Sequence, residues 1–178
     1  MTSDSKSAEA ERPRGPRITA GMLGDVGVFG GLDDETLTLL ARELPTVHAE
    51  TGEVVVEEGG TSREMFVVVG GELEVVKESK NGGEARVALF GPGDWFGEMS
   101  ILEPAPRSAT VRAVAPTMLV RITNEHVDQL LYRRDLKTYS LFLMNIAREL
   151  SRRLRVADGI VAQLVTAVSD EYVAKRRR

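Results

Sequence analysis

The sequence predicts an α+β protein: an antiparallel β-roll, a jelly-roll-like barrel, with a leading helix and two C-terminal helices, the last of them long. Two observations carry this fold class. Between Val47 and Ile122 lie short runs rich in β-branched residues ("EVVVEE", "MFVVV", "ELEVVKE", "EARVALF", "SATVRAVA", "TMLVRI"), separated by Gly-rich breaks. Short strands with evenly spaced turn signals make an antiparallel barrel or sandwich. On either side of that region apolar residues recur every three or four positions, the period of a helix packed on one face.

Taken in order, residues 1–17 are polar and proline-bearing, with almost no large apolar group. Such a segment buries too little surface to offset its ordering entropy, so a disordered leader is expected, its basic piece "RPRGPRIT" solvated. The β-roll with its flanking helices is expected over residues 18–134. Asp33 is a good N-cap for the leading helix, and Asp34 and Glu35 suit its positive end. Leu37, Leu40, Ala41 and Leu44 form its apolar face, and Pro45 stops it. The stretch "ESKNGGEAR" predicts a hairpin turn at Asn81–Gly82, because Asn-Gly supplies positive φ angles. "TNEHVDQLLYRR" predicts a helix capped by Thr123 or Asn124.

The longest helix is expected over residues 135–173, ahead of a solvated basic tail at 174–178. Its apolar positions Leu143, Ala147, Leu150, Leu154, Ala157, Val161, Leu164 and Val168 step alternately by four and three, a heptad seam. The seam either packs on the chain's own barrel or, as the preferred reading, pairs with a second copy through residues 143–168 to make a homodimer. Asp158–Gly159 is a turn-like pair, yet the seam keeps its phase across it, which predicts a continuous helix.

Composition removes several classes of function. The net charge of −4 argues against a broad basic face for nucleic acid. The absence of cysteine excludes disulfides, thiol catalysis and cysteine-ligated metal. The two histidines, His48 and His126, are too few for a metal centre built from histidines, so no metal is expected. No nucleophile–base pair is evident, so the chain is not read as an enzyme. With no 18-residue apolar run and no signal-like segment, a cytoplasmic protein without membrane insertion is expected.

One stretch carries chemistry: "FGEMSILEPAPRSAT", Phe96 to Thr110. It interrupts the strands with a loop and one short helical turn near Glu98–Leu102. A helix N-terminus presents unpaired N–H groups and partial positive charge to an anion. Arg107 adds a forked, permanently charged donor suited to phosphate. Ser108 and Ala109 offer backbone N–H groups, and Gly97 lets the backbone come close. Glu98 beside a phosphate would repel it, unless the ligand also carries a hydroxyl nearby. A ribose does, and a carboxylate accepting from a 2′-OH is one way to hold a nucleotide sugar.

The stretch closely resembles the phosphate-binding cassette of cyclic-nucleotide-binding domains, of the type in protein kinase A regulatory subunits and the catabolite activator family. The resemblance extends to "VFGGLDDETLTLLARELP", "GEVVVEEGGTSREMFVVVGGELEVV" and "LFGPGDWFGE", roughly residues 22 to 165. It implies a sensor that binds cAMP or cGMP, cAMP being favoured. Arg107 would pair with the cyclic phosphate and Glu98 with the ribose 2′-OH. Phe96, Gly97, Met99, Ser100, Ser108 and Ala109 complete the cassette. Val87, Leu89, Met99 and Val111 would line the base pocket, and Asp158 on the long helix would contact the base. The catabolite activator group carries a DNA-reading module after this helix. Only "SDEYVAKRRR" follows Val168 here, so no DNA binding is expected of this chain alone, and output would pass to an unknown protein effector. The alternative is a degenerate scaffold that binds no nucleotide and docks a protein through its long helix.

Overall fold

A computed structural model describes residues 17–79 and 82–176, with side chains to residue 167. Most of the expected leader, Asn81 of the hairpin turn, the side chain of Val168 and the last two residues of the basic tail lie outside the described residues. Helix α1 (Ala20–Gly24), a 3₁₀ turn (Gly27–Phe29) and α2 (Asp34–Glu43) come first. Strands follow as β1 (Thr46–Ala49), β2 (Val54–Val56), β3 (Glu64–Gly70), β4 (Leu73–Glu78), β5 (Glu84–Phe90) and β6 (Trp95–Phe96). Then come α3 (Met99–Leu102), β7 (Thr110–Ala113) and β8 (Thr117–Thr123). The chain closes with α4 (Asn124–Val127), a π-turn (Asp128–Tyr132) and α5 (Leu136–Arg176).

The strands form two four-stranded antiparallel sheets, ordered β1-β8-β3-β6 and β2-β7-β4-β5. The expected β-roll is this architecture. Strand β3 explains how the sheets are held. Its run Met65-Phe66-Val67-Val68 is apolar at every position because both faces are buried. Met65 and Val67 point to one core with Val120, Ile122, Trp95 and the helices. Phe66 and Val68 point to the other, between the sheets, with Leu73, Val75, Val111, Leu119 and Phe96. The period of two in a strand divides the residues between the cores.

Local chemistry sets the helix ends as expected. The Asp33 carboxylate accepts from the Thr36 N–H at 2.8 Å, and Thr123 Oγ1 accepts from the His126 N–H at 3.3 Å. His126 Nδ1 in turn accepts from the Thr123 N–H, closing a capping box. Asp135 starts α5, accepting from the Thr138 hydroxyl at 2.7 Å, the Thr138 N–H at 2.9 Å and the Lys137 N–H at 3.2 Å. These bonds, the Thr138 hydroxyl foremost, hold the Asp135 carboxyl below its usual value. A depressed folded value means the cap contributes fully above the unfolded carboxylate range near pH ~4 and is lost as pH falls through the lower folded value. Asp135→Ala should therefore lower the thermal midpoint at neutral pH, and thermal melts from pH 7 down to pH 2 should show that deficit closing.

Helix α5 is continuous through Asp158–Gly159 over 41 residues, despite a glycine cost of about 1 kcal/mol. Its first half docks on the helical core. Phe142 and Ile146 are fully buried, and Phe142 stacks on Phe29 with ring centroids 6.3 Å apart. Asn145 donates to the carbonyls of Val28 at 3.1 Å and Gly30 at 2.9 Å. The heptad seam therefore divides. Leu143 and Leu150 pack against the chain's own core, whereas Leu154, Val161 and Leu164 are exposed.

Candidate functional site

Strand β6, helix α3 and the loop into β7 wrap a cavity of about 200 Å³ that opens between the second sheet and α5. Phe96 closes its inner end, stacked on Phe66 at 5.3 Å and on Phe90 at 5.6 Å. Gly97 has φ +82°, and a Cβ there would lie 2.6 Å from both Arg107 Nη1 and the Glu64 carbonyl oxygen. Glycine is required by the backbone angle and by the approach of that guanidinium together.

Arg107 is 6% exposed and lines the cavity. Its Nη2 donates to the Glu64 carbonyl at 2.7 Å and to Ser62 Oγ at 3.0 Å. Nε also reaches Ser62 Oγ, at 3.1 Å, and Nη1 reaches Ser100 Oγ at 3.1 Å. Among the described residues no carboxylate forms a salt bridge with it. Burial pushes its pKa below the usual arginine value, while Glu64 and Glu98 at longer range oppose that shift. A buried cation held by neutral oxygens favours an anion beside it.

Glu98 is 3% exposed. Its Oε1 accepts from Arg153 Nη1 of α5 at 3.0 Å, and no donor among the described residues reaches Oε2. Arg153 also donates to the Trp95 carbonyl at 2.8 Å and to Glu149 Oε1 at 2.9 Å, with its guanidinium 5.6 Å from the centre of the Phe90 ring. Arg107 and Glu98 thus do not pair with each other. One buried positive and one buried negative group face one cavity, Arg107 held by Ser62, Ser100 and the Glu64 carbonyl and Glu98 held by Arg153.

The model of the cyclic nucleotide-binding domain matches residues 46–134, half of the chain, and both buried charges fall within the match. The chain belongs to the cyclic nucleotide-binding domain family. A CRP-like cAMP-activated global transcriptional regulator of Mycobacterium tuberculosis is 25% identical over 155 residues, 87% of this chain and 67% of that protein. The cAMP-dependent protein kinase regulatory subunit of Dictyostelium discoideum is 30% identical over 131 residues, 68% of this chain and 40% of that protein. The solved catabolite activator protein of Thermus thermophilus superposes with a TM-score of 0.69 at 31% identity, over 78% of this chain and 62% of that one. This chain therefore spans two thirds or less of these relatives.

Within this cyclic nucleotide-binding domain, Phe96, Gly97, Glu98, Met99, Ser100, Arg107, Ser108, Ala109 and Val111 all line the one cavity. Three residues expected at the ligand do not. Val87 and Leu89 lie on the outer side of β5, 57% and 48% exposed. Their neighbours Ala88 and Phe90 pack inward, and the pairing with β4 skips Val87 where the register shifts between Val75 and Val76. "EARVALF" has apolar residues on both parities, so alternation alone does not choose its inner face. Asp158 is exposed and lies outside the cavity; α5 reaches the cavity through Arg153 instead. Arg153, Phe90 and Ser62 were missed. The i, i+4 spacing of Glu149 and Arg153 was the available signal for the first, and the other parity of β5 for the second.

Proposed function

We propose that the chain is a cytoplasmic sensor that binds a cyclic nucleotide, cAMP in preference to cGMP, and passes the binding event on through α5. The observation that carries this is the pair of opposed buried groups at one cavity, Arg107 without a carboxylate partner and Glu98 with one oxygen that no donor reaches among the described residues. A cyclic phosphate on Arg107 and a ribose hydroxyl on Glu98 satisfy both, with Ser108 and Ala109 beside the phosphate. Val111, Phe90 and Met99 would face the base. The chain's own residues bind and orient; no bond is broken, in keeping with a regulatory family.

Calorimetric titration with cAMP and cGMP tests this reading directly. Saturable binding, tighter for cAMP, is expected; heat absent for both nucleotides would favour the scaffold alternative.

Arg153 joins the site to α5, because the same guanidinium holds Glu98 and sits on the helix that would carry the signal. Arg153→Ala should leave a 3% exposed carboxylate without its counter-charge. Leaving a buried charge unpaired is costly, so nucleotide affinity should drop at least tenfold while Arg153→Lys recovers part of it. Equal affinities in all three proteins would remove Arg153 from the mechanism.

The output we propose is a homodimer through the exposed half of α5, which would meet a protein effector without DNA contact by this chain. Support comes from the heptad phase at Leu154, Ala157, Val161 and Leu164, and from the 58–62% exposure of the three larger side chains. Replacing Leu154 and Leu164 with Glu should convert a dimer to a monomer in sedimentation equilibrium; identical masses before and after would end this part of the proposal.

A further inference from the structure

A second cavity, of about 220 Å³, shares Arg153 with the first and is walled also by Trp95, Asn145, Arg148, Glu149 and Arg152. With Asp94 it holds three guanidinium groups and two carboxylates, and one of the three, Arg153, also pairs with Glu98 of the first cavity at 3.0 Å. The carboxylates are already engaged. Asp94 Oδ2 accepts from the Gly91 N–H at 2.8 Å, and Glu149 pairs with Arg152 and with Arg153.

Arg148 is the group left without a carboxylate among the described residues. Its hydrogen bond runs from Nη1 to Asn145 Oδ1 at 3.2 Å. Asn145 is itself only 8% exposed, and its amide nitrogen is committed to the carbonyls of Val28 and Gly30. That commitment fixes which way its oxygen points, so the exposed Arg148 is held by a rigid neutral acceptor, with no carboxylate on it among the described residues. A planar guanidinium with unspent donors suits a phosphoryl or carboxylate group held by two parallel bonds.

We propose that this cavity is a second ligand site, taking a compact oxyanion, the phosphoryl or carboxylate group of a small molecule, on Arg148 and Arg152. The inference is independent of the cyclic-nucleotide reading, since neither Arg107 nor Glu98 borders this cavity. It bears on the first site all the same, because an anion here sits against the guanidinium that holds Glu98. Any coupling between the two occupancies must be equal in both directions.

Trp95 is the single tryptophan of the chain and lies in this wall, so its fluorescence reports on the cavity. The full chain is titrated with inorganic phosphate and, separately, with succinate, at an ionic strength held constant with chloride. A saturable fluorescence change is expected with at least one of them, phosphate marking a phosphoryl ligand and succinate a carboxylate. Arg148→Ala should raise the half-saturating concentration tenfold or more, whereas Arg107→Ala should leave it unchanged. Arg148 is on the surface and makes one neutral contact, so the variant should fold, which its thermal midpoint checks; Arg152→Gln serves as a second variant with the same expected weakening. Three results would each overturn the proposal: a change that never saturates, one insensitive to both Arg148→Ala and Arg152→Gln, or one abolished by Arg107→Ala, which would put the anion in the first cavity.

Discussion

Arg107→Ala should weaken cyclic-nucleotide binding by about 2–5 kcal/mol, roughly thirty-fold to several-thousand-fold in Kd. The size follows from placement. The guanidinium is 6% exposed, is held by Ser62, Ser100 and the Glu64 carbonyl, and forms no salt bridge with a carboxylate among the described residues. A phosphate brought into the cavity would meet a charge whose desolvation was completed on folding, so little of their attraction is lost to rearrangement. Arg107→Lys keeps the charge but loses the fork and should fall between the two. The measurement is calorimetry with cAMP, alongside a ligand-free thermal melt to separate binding from folding. Affinity unchanged in Arg107→Ala would remove the nucleotide from this cavity.

Phe142→Ala should cost about 3–5 kcal/mol of folding stability, the range for removing a fully buried aromatic ring. Phe142 has no exposed surface and stacks on Phe29 of the 3₁₀ turn, one turn along α5 from the equally buried Ile146. The contact ties the long helix to the 3₁₀ turn that packs on the same core as β3 and Trp95, and thereby places Arg153 at the cavity. Urea denaturation at constant protein concentration gives the stability change. If the nucleotide binds the folded form alone, saturating cAMP should recover part of the loss by mass action. A loss below about 1 kcal/mol would mean that α5 is held by other contacts and that Phe142 is not its anchor.

Much of the fold was legible because its signals are local. Asp33 and Thr123 cap the helices that begin beside them, and their hydrogen bonds span three residues. The alternating strand runs and the glycine breaks needed no knowledge of distant partners. The cassette was legible for the same reason: Gly97, Glu98 and Arg107 lie within one short stretch, and Gly97 is required there by a positive φ and a close neighbour.

The sequence does not show placement where it depends on something remote. On β5 both parities are apolar, and the inner face is set by pairing with β4, where Ala88 and Phe90 sit opposite the buried Val75 and Leu73. On α5 the base contact expected at Asp158 rested on where a distant helix crosses the cavity. The docking of Phe142 and Asn145 sets that crossing and brings Arg153 there, five positions earlier.

By itself the sequence determined the β-roll with its flanking helices, the close spacing of Gly97, Glu98 and Arg107, and the unbroken last helix, since caps, turns and periodicities are written among residues a few positions apart. Only the tertiary structure decided that Glu98 meets Arg153 across 55 positions of chain, that Arg107 is buried without a carboxylate partner among the described residues, and that the heptad seam splits into a docked half and an exposed half. The reason is packing. Which of several chemically equivalent side chains reaches a cavity depends on how sheets and helices cross, and that is settled by the shape of the whole core rather than by any one segment.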